Sequence, residues 1–324
     1  MKFKTLTSAA AAMVAALAFS GAQAQDRLTM GATHSASSFY AYQVGIANYL
    51  NKTVEGIDIN VRELGGAEVS TEALLRNEVD MGISVTSSDF GALEGNEPFR
   101  EPATNLRTLF FFAPLPLNFV VAADSGVESV ADLEGQPFNP GGRGTSTEGQ
   151  VDKIFETIGI TPDLMRAEGN DALDSFQNRQ IAGFVKGGIN PDGYIEQAAS
   201  ARDIRVLSLT EDQSNAVIEA YPFFSATVTK PDEFYGDSGG DVTTVQTAIG
   251  INTTDALSEE VAYNIAKAVF SDEGKTAASE VYGPAKDIDA AQLTVDAAVA
   301  PLHPGVVKYL KEEGYEVPDA LIAD

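Results

Sequence analysis

The chain has 324 residues, long enough for two lobes with cores of their own, and carries 47 acidic against 21 basic side chains, a formal charge of −26. That charge excludes nucleic acid as a partner. The absence of cysteine excludes a disulfide and a lipid-modified cysteine.

At the start, Lys2 and Lys4 precede the uncharged run Ser8–Ser20, and Ala22-Gln23-Ala24 forms an A-x-A cleavage site. The pattern predicts a secretory signal over residues 1–24, cut after Ala24, and a mature protein free in the periplasm. Without Lys2 and Lys4 the balance is 19 basic to 47 acidic residues, a net of −28, read here as a solvated acidic surface. The apolar run of the signal is too short to span a membrane, and no later segment approaches the ~20 apolar residues a membrane helix needs.

In chain order, Leu28–Ala32 reads as a strand, followed by the polar loop Thr33–Ser38. A helix then carries Phe39, Tyr42, Ile46, Tyr49 and Leu50 on one side. Ile57, Ile59 and Val61 alternate with polar residues as a second strand, Glu72–Asn77 is a short helix, and Val79–Val85 is a third strand ending in a Thr86-Ser87-Ser88 loop. This alternation predicts a parallel α/β sheet with ligands at the carboxyl ends of the strands, where the Thr33–Ser38 and Thr86–Ser88 loops fall. Leu109–Ala113 and Phe119–Ala123 read as two further strands. From Phe119 a second cycle begins, with strands near Pro137-Phe138, at Ile181–Val185 and at Ile204–Leu209, and helices between them. Strands at Ala226–Thr229 and Val245–Ile251 and a helix over Ser258–Phe270 lead back to the first lobe. The predicted fold is thus α/β and two-lobed, each lobe a mostly parallel sheet flanked by helices, with a ligand cleft between them. The predicted bounds are 25–118 for the first lobe, 119–225 for an inserted second lobe and 226–324 for the return.

The stretch Asn139–Glu148, NPGGRGTSTE, opens a helix marked by Val151, Ile154, Phe155 and Ile158. Thr145 and Glu148 have capping-box spacing. The glycines let backbone approach a ligand, the helix N-terminus offers aimed N–H donors, and Arg143 adds a planar fork suited to a carboxylate or phosphate. An ordinary capped helix after a glycine turn is the plainer account of the stretch taken alone. Groups able to transform a ligand are scarce. Of two histidines, His303 in Pro301-Leu302-His303-Pro304 reads as structural, and only His34 falls in a candidate site loop. There is no zinc-type histidine spacing, no G-x-S-x-G elbow and no Walker loop. No catalytic residue, metal or cofactor is therefore expected. The alternative in another class is a hydrolase using His34 with a nearby serine.

An ordered series of segments resembles the TAXI family, the solute-binding subunits of one branch of the TRAP transporters. The series includes VVAADSGVESVADLEG at 120–135, GTSTE at 144–148, ARDIRVLSL at 201–209, YPFF at 221–224, DVTTV at 241–245 and PLHPG at 301–305. The resemblance implies a receptor, not an enzyme and monomeric, that closes over a small organic acid and hands it to a sodium-driven permease, itself a fusion of its two membrane subunits. It implies as ligand-side residues Ser35, at the family's threonine, and Tyr40, at its second tyrosine, with Thr33 and His34 in the same loop, then Thr145 and Ser146 in GTSTE, and Gly188; the family's Q-S-D after the third strand is absent here, and Thr86 and Ser87 are the nearest candidates. His34 and Ser37 replace family glycines, and Lys186 replaces a usually apolar residue. Arg143 and Lys186 as two ligand-side cations point to a dicarboxylate such as glutamate or 2-oxoglutarate. A neutral, monocarboxylate or aromatic solute is the competing ligand.

Overall fold

The computed structural model describes residues 26–35, 37–142, 145–167 and 169–323. The predicted secretory signal and Arg143 lie outside the described residues.

Apolar alternation builds the first strands. Met30 and Ala32 are fully buried in β1 (Asp26–Thr33), and the helix α1 (Ser38–Thr53) follows, its N-cap Ser37 accepting from the Phe39 N–H. After β2 (Ile57–Gly65) and α2 (Ala67–Leu75) comes β3 (Met81–Val85), buried at every position, and then α3 (Thr86–Glu94) without an intervening loop. Thr86-Ser87-Ser88 is therefore the first turn of a helix, because the Ser88 hydroxyl donates to the Val85 carbonyl and accepts from the Val85 N–H. Strand β1 pairs in parallel with both β2 and β3.

The runs read as two strands at 109–113 and 119–123 form one strand, β4 (Leu106–Ala122). Pro114 and Pro116 suggest a break, since proline has no N–H to donate to a ladder. They are accommodated opposite Ala248 and Gln246, and the Pro116 carbonyl still accepts from Gly188. The remaining elements are β5 (Pro137–Asn139), α4 (Ser146–Ile158), β6 (Asp163–Leu164), α5 (Gly169–Gln177), β7 (Gly183–Gly187), α6 (Gly193–Ala201), β8 (Ile204–Leu207), α7 (Glu211–Ala220), β9 (Ser225–Thr229), α8 (Asp232–Tyr235), β10 (Val242–Thr254), α9 (Glu259–Val269), α10 (Asp272–Val281), α11 (Ala290–Ala297) and α12 (Pro304–Glu312).

The strand order is β2-β1-β3-β10-β4-β7-β5-β6, with β8 added to β4 and β9 to β10. The fold is α/β: parallel strands (β1 with β2 and β3, β5 with β6 and β7) flanked by helices, joined through the antiparallel neighbours β4 and β10. The first half of β4 pairs with β10 through Pro116, and its second half, Leu117–Ala122, pairs with β7 and β8. Strand β10 divides likewise: Val242 and Val245 lie in the cores around β7 and β8, and Ile249 and Ile251 in the core around β1 and β3. Each end of this shared pair has apolar clusters on both sheet faces. One end packs against α1, α9 and α12 on one face and α2 on the other; the other end packs against α4 and α7 on one face and α5 and α6 on the other. These ends are the two lobes. The expected boundary at 118/119 falls inside β4.

Gly250 sits where β10 shifts register against β4, and a Cβ there would stand 2.3 Å from the Phe110 carbonyl oxygen. Gly250→Val forces this backbone apart and is expected to destabilise the protein by about 1–3 kcal/mol, read as a lower urea midpoint at unchanged slope.

Candidate functional site

The N-termini of two helices, one per lobe, open on the gap between the lobes. In the first lobe β2 ends at Gly65, whose φ of 126° favours glycine, and Gly66 caps α2 with no side-chain hydrogen bond. The Ala67, Glu68 and Val69 N–H groups thus stand at a helix start without a side-chain cap. The β1–α1 loop is pinned beside them: the Thr33 hydroxyl (2.9 Å) and the His34 N–H (3.1 Å) both donate to the Gly65 carbonyl. In the second lobe Thr145 caps α4, its hydroxyl accepting from Glu148 N–H and donating to the Gly142 carbonyl. The Glu148 carboxylate accepts from Arg166 at 2.8 Å.

Between these helix starts lies a cleft of about 580 Å³. Its polar edge is Thr33, His34, Thr145, Ser146, Thr147 and Lys186. Its apolar wall is Phe39, Leu64, Ile83, Val85, Leu115 and Ile249, the last two from the shared strands β4 and β10. Glu68 also lines the cleft. Crowding by protein atoms raises the pKa of its carboxyl, the Lys153 ammonium opposes this, and Glu72 adds to it.

Five of the residues expected at the ligand, Thr33, His34, Thr145, Ser146 and Lys186, come together on this cleft. Ser35, Tyr40, Thr86, Ser87 and Gly188 are not among its lining residues. Ser35 is turned to Glu63, whose carboxyl its N–H and hydroxyl hold below the usual carboxylate range. Thr86 is buried and bridges the lobes, donating to the Phe223 carbonyl and accepting from the Ala248 N–H. Ser87 accepts from the Gln150 amide. Gly188 donates to the Pro116 carbonyl behind the cleft wall. Lys186 is paired: its ammonium lies 3.2 Å from an Asp192 carboxylate oxygen and donates to the Gly187 carbonyl. The same Asp192 caps α6 through its other oxygen. Sequence reasoning passed over Leu64–Val69, although a strand end, two glycines and a helix start are the signal already used for the other loops.

The histidines differ sharply. His34 is exposed, with Nδ1 3.5 Å from the Glu63 carboxylate. His303 is buried as the N-cap of α12, Nδ1 accepting from the Gly305 N–H and Nε2 meeting the Leu257 carbonyl at 2.9 Å. Among the described residues no group of three or more His, Cys, Asp or Glu is placed to hold a metal ion, and no helix is long and apolar enough to cross a membrane.

A family model described as the NMT1-like family matches residues 30–314. The chain belongs to that family. Similar solved structures include XAC2383 from Xanthomonas citri bound to ATP, at 14% identity and a TM-score of 0.52, covering 88% of this chain and 94% of that one. A TctC solute binding protein from Polaromonas matches at 11% identity and a TM-score of 0.51, covering 79% and 88%. MatC from Rhodopseudomonas palustris with bound malate matches at 11% identity and a TM-score of 0.50, covering 89% and 96%. At such identities the likeness is one of fold: this NMT1-like chain has the α/β fold of solute-binding proteins.

Burial lowers the pKa of His303, against the opposing Leu257 hydrogen bond. A folded-state pKa below the unfolded one means that the neutral form is favoured by folding. Its contribution is present above the unfolded value, near 6.5, and is lost as pH falls below it. His303→Asn keeps a capping acceptor without the titration. The stability difference between the two proteins is expected to move against the histidine form from pH 7.5 to 5.5, as measured by urea unfolding.

Proposed function

We propose that this chain is a receptor for a small organic anion, held between the lobes with a carboxylate at the N-termini of α2 and α4. The observation that carries the reading is the pair of helix starts facing one cleft from opposite lobes, in a chain with the solute-binding fold. Backbone N–H groups and the helix dipole favour an anion there, without a proton-transfer group or metal. The apolar wall from Phe39 to Ile249 accommodates the carbon body of the ligand.

Among the described residues no free cation lines the cleft to require a dicarboxylate. That expectation rested on Lys186 as a second free cation, and its charge is met by Asp192. One carboxylate with an apolar or hydrogen-bonding remainder fits the described residues better. The malate on MatC keeps a small dicarboxylic acid among the ligands to be tested. The TAXI resemblance supports transfer of the captured acid to a sodium-driven TRAP permease in the membrane, and the leader pattern supports periplasmic residence. Closure over the ligand is a population shift, since the acid stabilises the closed form by its extra contacts there.

Thermal unfolding of ligand-stripped protein is the test, against glutamate, 2-oxoglutarate, malate, succinate, branched-chain 2-oxoacids and aromatic acids. An acid present at 100 times its dissociation constant adds ~2.7 kcal/mol, a rise of several degrees. Ala67→Asp places a carboxylate at the first position of α2. It is expected to raise the stability of the unliganded protein by about 0.3–1 kcal/mol through the helix dipole, while weakening the acid at least tenfold by like-charge repulsion. Unchanged acid binding in that variant contradicts the α2 site.

A further inference from the structure

Behind the ligand cleft a second, smaller cavity of about 160 Å³ runs between the lobes, and Glu68 and Ser146 line both. Its walls carry Lys153 from the second lobe and two carboxylates from the first, Glu68 and Glu97, of which only Glu68 also lines the ligand cleft. Glu68 comes from the first turn of α2 in one lobe, and Lys153 from the second turn of α4 in the other. Every other cation near the cleft whose side chain is described has a carboxylate beside it: Lys186 has Asp192, and Arg166 has Glu148 and Asp152. Lys153 makes no ion pair among the described residues. Its ammonium stands 5.5 Å above the Tyr221 ring, a contact that holds it at the cavity edge. Glu68 likewise has no ion-pair partner among the described residues.

The neighbouring contacts between the lobes are already made. Thr86 bridges to Phe223, and Gln150 donates to Ser87 and to Thr247. These bonds lie on the hinge side, near the shared strands. Glu68 and Lys153 line the same cavity as Ser87, Gln150 and Phe223, one on each side of the seam between the lobes.

We propose that Glu68 and Lys153 are the closing contact of the receptor, an ion pair that forms across the smaller cavity when the lobes come together. The proposal rests on the receptor reading, because Glu68 also lines the ligand cleft. A ligand seated at the α2 and α4 helix starts excludes water from the cleft side of Glu68, and a less screened pair attracts more strongly. Pairing with Lys153 also offsets the repulsion that an unpaired Glu68 carboxylate exerts on the bound anion, so ligand capture and lobe closure reinforce each other through one carboxylate. The pair holds the closed form and does not touch the ligand, so its loss acts on the closed population rather than on ligand chemistry.

The chain has no cysteine, so Thr53→Cys and Gln197→Cys, one exposed position in each lobe, give a clean pair of spin-label sites. The distribution of distances between them is measured in ligand-free protein at low salt, on this background alone and with Glu68→Gln, Lys153→Gln, or the swap Glu68→Lys with Lys153→Glu. The closed fraction is expected to fall roughly two- to fivefold in each single variant, the size of an exposed ion pair. It is expected to recover in the swap, and to fall in the unsubstituted background at 1 M salt. Thermal unfolding of each variant confirms that it is folded. Equal distributions in all variants, or a swap no better than the single variants, overturn the proposal. No acid is present in this measurement, so its failure leaves the receptor reading standing, and a failed acid panel leaves this result readable.

Discussion

Two strands shared by both lobes set the geometry of everything else. Strand β4 spends its first half against β10 in one lobe and its second half against β7 and β8 in the other, and β10 divides its core contacts in the same way. The lobes therefore cannot slide independently; they can rotate about the segment where the strands pass between them. Pro114, Pro116 and Asn118 mark that segment. Asn118 is fully buried, and its amide donates to the Lys186 and Gly188 carbonyls and accepts from Asn190. One side chain on the crossing strand thus ties down the loop between β7 and α6, next to the cleft-lining Lys186 and Gly187. Leu115 and Ile249, one from each shared strand, line the same cleft, so the crossing segment and the cleft are built from adjacent residues.

The electrostatics reconcile an acidic protein with an anionic ligand. A formal charge of −26 is spread over the surface, where salt screens it beyond about 8–10 Å. The favourable field in the cleft is local, coming from helix starts whose influence fades within a turn. Lys186 and Asp192 neutralise one another at the wall, which leaves, among the described residues, peptide dipoles rather than side-chain charge at the two helix starts. Under the proposed reading such a site takes an anionic group without specifying what it is attached to, and the apolar wall with Thr33 and His34 selects the rest of the ligand.

Much of this was readable in the sequence, and the failures have physical causes. Strand β1 announced itself because its apolar residues Leu28, Met30 and Ala32 alternate and are buried, whereas β3 shows the same alternation although Gly82 and Ser84 between its apolar residues are buried as well. The glycine stretch before α4 was recognisable because Thr145 caps the helix that follows. The reading failed at Pro114 and Pro116, where local chemistry argues for a break and tertiary pairing supplies partners that need no proline N–H. It failed again at Thr86 and Ser87. These hydroxyls look available beside a strand end, yet α3 begins there and turns them to Phe223 and Gln150. Lys186 lines the cleft, and its pairing with Asp192, six residues on, was invisible in the sequence because it depends on how the loop folds back. Gly65 and Gly66 were passed over, although a strand end, two glycines and a helix start stand there in sequence.

The central claim is that a carboxylate binds between the starts of α2 and α4. The most direct measurement is a crystal structure of the protein with the acid that stabilises it most. The account predicts the carboxylate oxygens within about 2.7–3.2 Å of backbone nitrogens in both Ala67–Val69 and Ser146–Thr147, with the carbon chain against Leu115 and Ile249. An acid bound with its carboxylate on side-chain cations elsewhere, and with neither helix start in contact, would contradict it.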